Sequence, residues 1–426
     1  MSGKEILALG IFIVTLLAVL TRPRGLSEGA SAVVGGAFML IAGIVGPGDA
    51  GTVLEQNLTV FAFFLGMMTI TTLAEGAKVF DRMAAGAARL AGGSPRRLFF
   101  NVFALGAIIS TFLTNDATAL ILTPVVYALV TRLRLDPLPY VFACTFIADT
   151  ASMTLPISNP INIILGERFS GLSLADFLRY LLLPSMLVIA INVVLFAIIF
   201  RRKLDGRFQV QAVEVDLDAG ERRAFRVAVI ILVLVGIAFV MASELHPAPI
   251  GVVALLGAGA LLLATALQGR LQWRELADGI SWSIFPFIAG MFLMVRGLEH
   301  VGTTRQLGEI LTQLVGHGTV QPVLATTLFS ALSSNLINNV PAVAVLTSTI
   351  PTIHHVSRIA LVYGTLVGCD LGPNLTVVGS LSTMIWLLLL RQRNMEISAL
   401  EYARLGIVVT PVMLLAASLV LAFLLR

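Results

Sequence analysis

A chain of 426 residues that is 57% hydrophobic and only 12% charged, with a mean hydropathy of +0.94, carries more apolar surface than a water-soluble domain can hide, so it is a polytopic membrane protein. The formal charge of +4 is then a record of membrane topology and not a nucleic-acid-binding surface. Two cysteines, Cys144 and Cys369, both in apolar segments, exclude a disulfide framework and a zinc cluster.

The N-terminal "KEILALGIFIVTLLAVLTRPRG" holds an apolar run of about eighteen residues and no small-residue cleavage site, and reads as a retained span. Apolar runs follow at about 29 to 46, 57 to 73, 138 to 165 and 179 to 200, with a segment interrupted by polar residues at about 97 to 130. The only long polar stretch, 201 to 226, reads as a solvated linker. Beyond it the order recurs, with runs at about 225 to 243, 249 to 266, 281 to 298, 357 to 390 and 403 to 425 and an interrupted segment at about 320 to 352.

The recurrence extends to single residues. "TNDATALILTP" at 114 to 124 lies over "INNVPAVAVLT" at 337 to 347, an offset of 223. "ADTASMTLPISNPINI" from 148 lies over "CDLGPNLTVVGSLSTM" from 369, an offset of 221 that pairs Asp149 with Asp370, Asn159 with Ser380 and Asn162 with Thr383. Matched polar positions in otherwise apolar strings point to an internal repeat.

With the interrupted segments taken as re-entrant hairpins, each half has five crossings, and an odd number makes the repeats antiparallel. The expected fold is all-α with two inverted repeats, each with a re-entrant hairpin and a broken helix. The first occupies 1–200 (scaffold helices 1–73, hairpin 95–131, broken helix 137–166), followed by a cytoplasmic linker at 201–226. The second occupies 227–426 (scaffold helices 227–298, hairpin 320–352, broken helix 356–390). This arrangement gathers 21 of the 28 Lys and Arg on one side, among them Arg22, Lys78, Arg96, Arg201 and Arg270, which makes that side cytoplasmic and both termini external.

A chain that turns back inside a membrane leaves backbone groups that only protein or a water-filled cavity can satisfy. Asn, Ser and Thr at such turns can do this and can also bind a polar solute. Gly and Pro mark the corresponding breaks in "LPISNPIN" at 155 to 162 and "LGPNLTVVGS" at 371 to 380. The two tips and two breaks are expected to meet around one site. Three acids, Asp116, Asp149 and Asp370, lie in apolar segments with no Lys or Arg within a helical turn. Each must be neutral part of the time, bind a cation, pair across the fold or cap a broken helix, and all three are candidates for proton coupling. His246, His300, His317, His354 and His355 read as loop or hairpin-end residues, Trp282 and Trp386 as interfacial or packing residues, and Arg296 and Glu299 as the end of a span. Cys144 and Cys369 make an incomplete soft site, and packing is the preferred role over metalloid ligation.

"FLTNDATALILTP", "SNLINNVPAV" and above all "GCDLGPNLTVVGSLSTMIWLLLLRQ" resemble the signature stretches of the arsenical pump membrane protein (ArsB) family of the ion transporter superfamily. The similarity in order, spacing and length extends over essentially the whole chain. The resemblance implies efflux of arsenite and antimonite across the bacterial inner membrane in exchange for protons, with no cofactor beyond the proton gradient and sometimes with a soluble ATPase as partner. It implies a scaffold and a transport domain. Carried over, the substrate-binding residues are Thr114, Asn115, Asp116 and Thr118 at the first tip, Asn338 and Asn339 at the second, Ser158, Asn159 and Asn162 at the first break, and Ser380 and Thr383 at the other. Sodium-dicarboxylate relatives in the superfamily typically carry Ser-Asn-Thr at each tip, whereas this chain has Thr-Asn-Asp and Asn-Asn.

Neutral As(OH)3 needs amides and hydroxyls but no fixed positive charge, unlike a carboxylate substrate. Because a neutral solute gains nothing from membrane potential, an inward proton supplies the drive. The alternatives are a proton- or sodium-coupled cation or organic-anion transporter of the same superfamily and, remotely, an intramembrane aspartyl protease using Asp149 and Asp370. The "GCDLG" setting of Asp370 lacks the Gly-x-Gly-Asp pattern expected of such a protease.

Overall fold

In an apolar medium an unpartnered backbone N–H or C=O is costly, so apolar runs close their own hydrogen bonds as helices. The computed structural model describes residues 2–21, 23–169, 173–209, 218–242, 250–354 and 356–426, and among them there are helices and turns but no strand. Arg22, His246 and His355 lie outside the described residues.

The first half runs α1 (Gly3–Thr21), α2 (Glu28–Ile41), α3 (Pro47–Gln56), α4 (Leu58–Gly76), α5 (Val79–Leu90), α6 (Pro95–Phe112), α7 (Asn115–Ala117), α8 (Thr123–Arg132), α9 (Leu138–Thr150), α10 (Pro160–Arg168), α11 (Leu174–Tyr180) and α12 (Leu182–Ile199). The second runs α13 (Ala219–Ala242), α14 (Ile250–Leu267), α15 (Trp273–Gly279), α16 (Ile284–His300), α17 (Thr303–Val315), α18 (Val320–Ile337), α19 (Asn339–Thr349), α20 (Arg358–Leu371), α21 (Leu381–Arg391) and α22 (Ala399–Leu424). Seven helical stretches among the described residues are long and apolar enough to cross a membrane, and three shorter apolar helices accompany them. The outward row Ile230, Val233, Leu234 and Ile237 on α13 is exposed, as befits a helix facing lipid.

Two features depart from the hydropathy reading. Five short helices, α3, α5, α11, α15 and α17, lie between the apolar runs. Average hydropathy misses them because they are amphipathic: α5 buries Val79, Phe80, Ala84 and Ala88 and turns Arg89 outward. The polar connection is also shorter than 201–226, since residues 219–226 already belong to α13.

Helix starts and breaks follow local chemistry. α6 opens on Ser94, whose Oγ accepts from the Arg97 N–H, with Pro95 behind it. It ends at Phe112; Thr114 Oγ1 then accepts the Ala117 N–H at 3.2 Å to start α7, and a π-helical turn at Thr118–Leu122 leads into α8. In the second half α18 stops at Asn338, which has φ of 72°. With ψ of 155° this is a strained backbone conformation that few residues other than Gly adopt. α9 ends at Thr150 and the chain resumes as α10 only after Asn159, whose Oδ1 accepts from the Ile161 N–H at 3.2 Å. α20 likewise gives way to two 3-10 turns, Gly372–Leu375 and Val377–Gly379, before α21.

The most extensive contacts pair α2 with α16, α4 with α14 and α18 with α20. Small residues set the first two: a side chain on Gly290 would overlap the backbone of Ala32, and a Cβ on Gly66 would lie 2.5 Å from the Ala254 carbonyl carbon. Elsewhere Trp386 is fully buried against Phe142 and Tyr402, with ring centroids 5.5 and 5.9 Å away. Trp282, by contrast, is exposed and donates its indole N–H to the Ala277 carbonyl. Trp386→Ala is expected to cost about 3–5 kcal/mol, readable as a lower unfolding temperature of the purified protein. Trp282→Ala should leave that temperature nearly unchanged.

Candidate functional site

The first tip and both helix breaks converge where α7, the 151–159 segment, the end of α20 and the start of α21 meet, while the second tip bonds the Val378 carbonyl. Around Asp149, Asn115 donates from Nδ2 to Asp149 Oδ1 at 3.2 Å, and its backbone N–H bonds the Ser158 carbonyl at 3.1 Å. Ser158 in turn donates to the Thr111 carbonyl at 2.7 Å, so the first tip and the first break are tied together. Asp370, from the other half of the chain, accepts on one oxygen from Ser152 Oγ at 2.8 Å and from Asn159 Nδ2 at 2.7 Å. Asn162 Nδ2 bonds the Ser152 carbonyl at 2.9 Å, which steadies this turn from behind. Asp116 accepts from the Ser382 hydroxyl on α21.

Asp149, Asp370, Asn159, Asn162, Ser158, Ser380 and Thr383 are all buried. Asp370 Oδ2 and Asn162 Oδ1 have no hydrogen-bond partner among the described residues, and the Thr383 hydroxyl lies beside the Asp149 carboxyl. Buried oxygens without donors are costly, and a site rich in such acceptors suits a neutral solute that offers hydroxyl protons. Among the described residues no Lys or Arg forms an ion pair with Asp116, Asp149 or Asp370.

Not every expected site residue faces this cluster. Thr118 spends its hydroxyl on the Gly106 carbonyl inside its own hairpin. Asn338 donates to the Val378 carbonyl at 3.2 Å and caps α19 through the Val340 N–H, and among the described residues its side chain bonds none of the three acids. Asn339 is buried at the start of α19. Cys144 and Cys369 are buried free thiols, and Cys369 Sγ lies 3.9 Å from the Ser330 carbonyl.

Sequence comparison of the halves missed Ser152 and Ser382. Their repeat partners at offset 221 are Pro373 and Ile161, so no matched polar pair drew attention to either. A further buried chain, Asn192 and Asn374 both donating to Thr150 Oγ1 at 2.8 and 3.2 Å, joins α12, α9 and the 3-10 turn after α20. Its signal in the sequence is an isolated Asn within an apolar helix.

Two cavities lie on either side of α10, and the first reaches the cluster. One, of about 250 Å³, has Thr114, Asp116 and Pro160 in its wall together with α4 residues up to Glu75, and Asp278. The other, of about 300 Å³, lies between α3, α10, α16 and α19. Beside the second, outside the membrane segments, the Gly46 backbone N–H donates to Asp49 at 2.8 Å and holds its carboxyl below the usual carboxylate range, with His300 and Arg296 adding to the effect.

Residues 7–425 match the profile of a family described as arsenical pump membrane protein. The chain is 34% identical over 413 residues to an arsenical pump membrane protein of Escherichia coli strain K12, covering 95% of each. It is 34% identical over 412 residues to one from Yersinia enterocolitica, again covering 95% of each. A 46 kDa membrane protein of Mycobacterium leprae is 29% identical over 434 residues, 98% of each chain. Among solved structures, the YdaH transporter of Alcanivorax borkumensis superposes with a TM-score of 0.62 at 13% identity, over 99% of this chain and 98% of that one. MtrF of Neisseria gonorrhoeae, described with a class of antimetabolite efflux pumps, gives 0.55 at 11% identity, over 99% and 95%. At such identities these two establish a shared fold.

Proposed function

Because the chain belongs to the arsenical pump membrane protein family, we propose that it exports arsenite, and antimonite with it, from the cytoplasm in exchange for protons. The protein is a multi-pass membrane transporter. The proposed setting is the bacterial inner membrane, with the basic face cytoplasmic, both termini external and the halves related as inverted repeats. A soluble ATPase is a further proposed partner.

The observation that carries the reading is the chemistry of the buried cluster. Amides, hydroxyls and carboxyls surround unpartnered acceptor oxygens, with no fixed positive charge in an ion pair. Neutral As(OH)3 and its antimony analogue donate hydroxyl protons to such a lining, whereas a carboxylate substrate would sit among three acids with which no Lys or Arg forms an ion pair among the described residues. Thr114, Asn115, Asp116, Ser158, Asn159, Asn162, Ser380 and Thr383 are the proposed contacts. Asp116, Asp149 and Asp370 are the proposed proton carriers. Asn338, Asn339 and Thr118 then act by shaping the turns, and Ser152 and Ser382 by holding Asp370 and Asp116.

One proton entering per solute supplies about 2.3 kcal/mol per 100 mV, roughly a fiftyfold concentration ratio. In this account the segments carrying the two tips and two breaks move together past α2, α4, α14 and α16. Purified protein in liposomes is expected to accumulate arsenite against its gradient when a pH or voltage gradient is imposed, with protons moving the opposite way. Accumulation that needs sodium and ignores the proton gradient, or no arsenite flux from intact protein, would overturn the proposal.

A further inference from the structure

The repeat extends into the helices that flank the cavities. "FFLGM" at 63 to 67 lies over "FIAGM" at 287 to 291, an offset of 224 that pairs Gly66 with Gly290, Thr72 with Arg296 and Glu75 with Glu299. The two cavities are lined by corresponding elements, α4 with the first tip in one and α16 with α19 in the other. Their polar walls nevertheless differ.

In the second cavity Glu299 accepts from Arg296 Nη1 at 2.8 Å and lies 3.8 Å from Arg168 Nη2. Arg296 Nε and His300 Nε2 each lie 3.5 Å from Asp49 Oδ1. These contacts form a chain from α3 through α16 to Arg168, the last residue of α10. α10 begins beside Asn159, in the buried cluster, and its nine residues span about 13.5 Å from there to this surface. Inward of the charges the cavity wall is Ile164, Phe292, Val295 and Ala344, and no proposed contact residue lines it.

In the first cavity Glu75 stands where Glu299 would, but Thr72 replaces Arg296 and Leu389 replaces Arg168 at offset 221. Among the described residues Glu75 makes no ion pair. This cavity reaches Thr114 and Asp116 themselves.

We propose that Glu299 is a positioning residue of the transport cycle. By tying Arg168 on the moving α10 to Arg296 on α16 it latches the second access path shut, while the unlatched Glu75 side stays open to the cluster. This deepens the transport reading, since it requires α10 to move relative to α16. Lys78 and Arg82 follow Glu75 in the chain and Arg270 lines the neighbouring cavity with Thr72 and Gly76, so on the proposed topology the open path is the one on the basic face. The export cycle then rests in its loading state and spends the latch only on release.

The test uses the full chain in sealed vesicles of both orientations and a membrane-impermeant maleimide. Ser348→Cys reports the second cavity and Thr72→Cys the first. With Glu299 intact, Thr72→Cys is expected to react from the basic face and Ser348→Cys from the other, and these two rates are the reference. Glu299→Gln should raise the Ser348→Cys rate about fivefold, the scale of one half-exposed ion pair, and lower the Thr72→Cys rate. Arg168→Gln should do the same, and the Glu299→Gln, Arg168→Gln double variant should go no further than either alone. Unchanged labelling in both single variants, or fully additive effects in the double, overturns the latch. Labelling needs no arsenite, so a shift in rates without arsenite flux would support the latch and count against the substrate instead.

Discussion

Replacing Asp370 by Asn is expected to abolish potential-driven arsenite accumulation, removing the roughly fiftyfold ratio that one proton contributes at about 100 mV. The substitution is a clean one for structural reasons. Asp370 uses a single oxygen to accept from Ser152 and Asn159. An Asn keeps that oxygen, so both bonds survive. Its amide nitrogen takes the place of the unpartnered Oδ2, and what disappears is the ability to bind and release a proton. Downhill arsenite exchange should therefore persist in Asp370→Asn liposomes while uphill movement fails. Asp149→Asn and Asp116→Asn complete the set, because Asp149 holds the first tip through Asn115 and Asp116 is held by Ser382. If all three variants keep full pH-driven transport, proton exchange through these acids is wrong.

Gly290→Val is expected to lower the unfolding temperature more than any other single change at the α2–α16 contact, and to deplete folded protein in the membrane. Any Cβ at Gly290 would collide with the Ala32 carbonyl and the Val33 amide. Those are backbone atoms of a helix and cannot turn aside as a flexible side chain can. Overpacking typically costs about 1–3 kcal/mol, and here relief requires the whole of α2 to move away from α16. Gly259→Ala in α14 is the control. Nothing lies within 4 Å of its built Cβ, so the gain in helix propensity of about 1 kcal/mol is unopposed. Thermal unfolding in detergent of the two variants beside the parent measures both effects. A Gly290→Val protein as stable as the parent would mean that α2 and α16 do not pack at backbone contact.

The one-dimensional string of residues determined that this chain lives in a bilayer, where its apolar runs begin and end, and that its polar breaks recur. Each of these depends on neighbours within one or two turns: a run of Leu and Ile must become a helix in lipid, and Pro160 and Pro373 stand at breaks because Gly, Ser and Asn surround them, whereas Pro411 in an apolar run stays inside α22. The family could be read the same way, since "GCDLGPNLTVVGSLSTM" is a contiguous motif. Average hydropathy could not reveal α5 or α17, whose apolar faces are only visible once a period of 3.6 residues is imposed.

Tertiary structure alone decided which polar groups meet. Repeat symmetry in the sequence would have paired Asp149 with its own tip and Asp370 with Asn338 in the same way. Instead Asp370 is held by Ser152 and Asn159, 218 and 211 positions away, and Asn338 turns to the Val378 carbonyl. The equivalence of Glu75 and Glu299 is likewise written in the string, yet only the approach of α10 to α16 gives Glu299 its second arginine, Arg168. Hydropathy and helix breaks are local properties that survive in an unfolded chain. A hydrogen bond between residues two hundred positions apart exists only after the helices have packed, and packing is set by small residues such as Gly66 and Gly290 that carry no polar signal of their own.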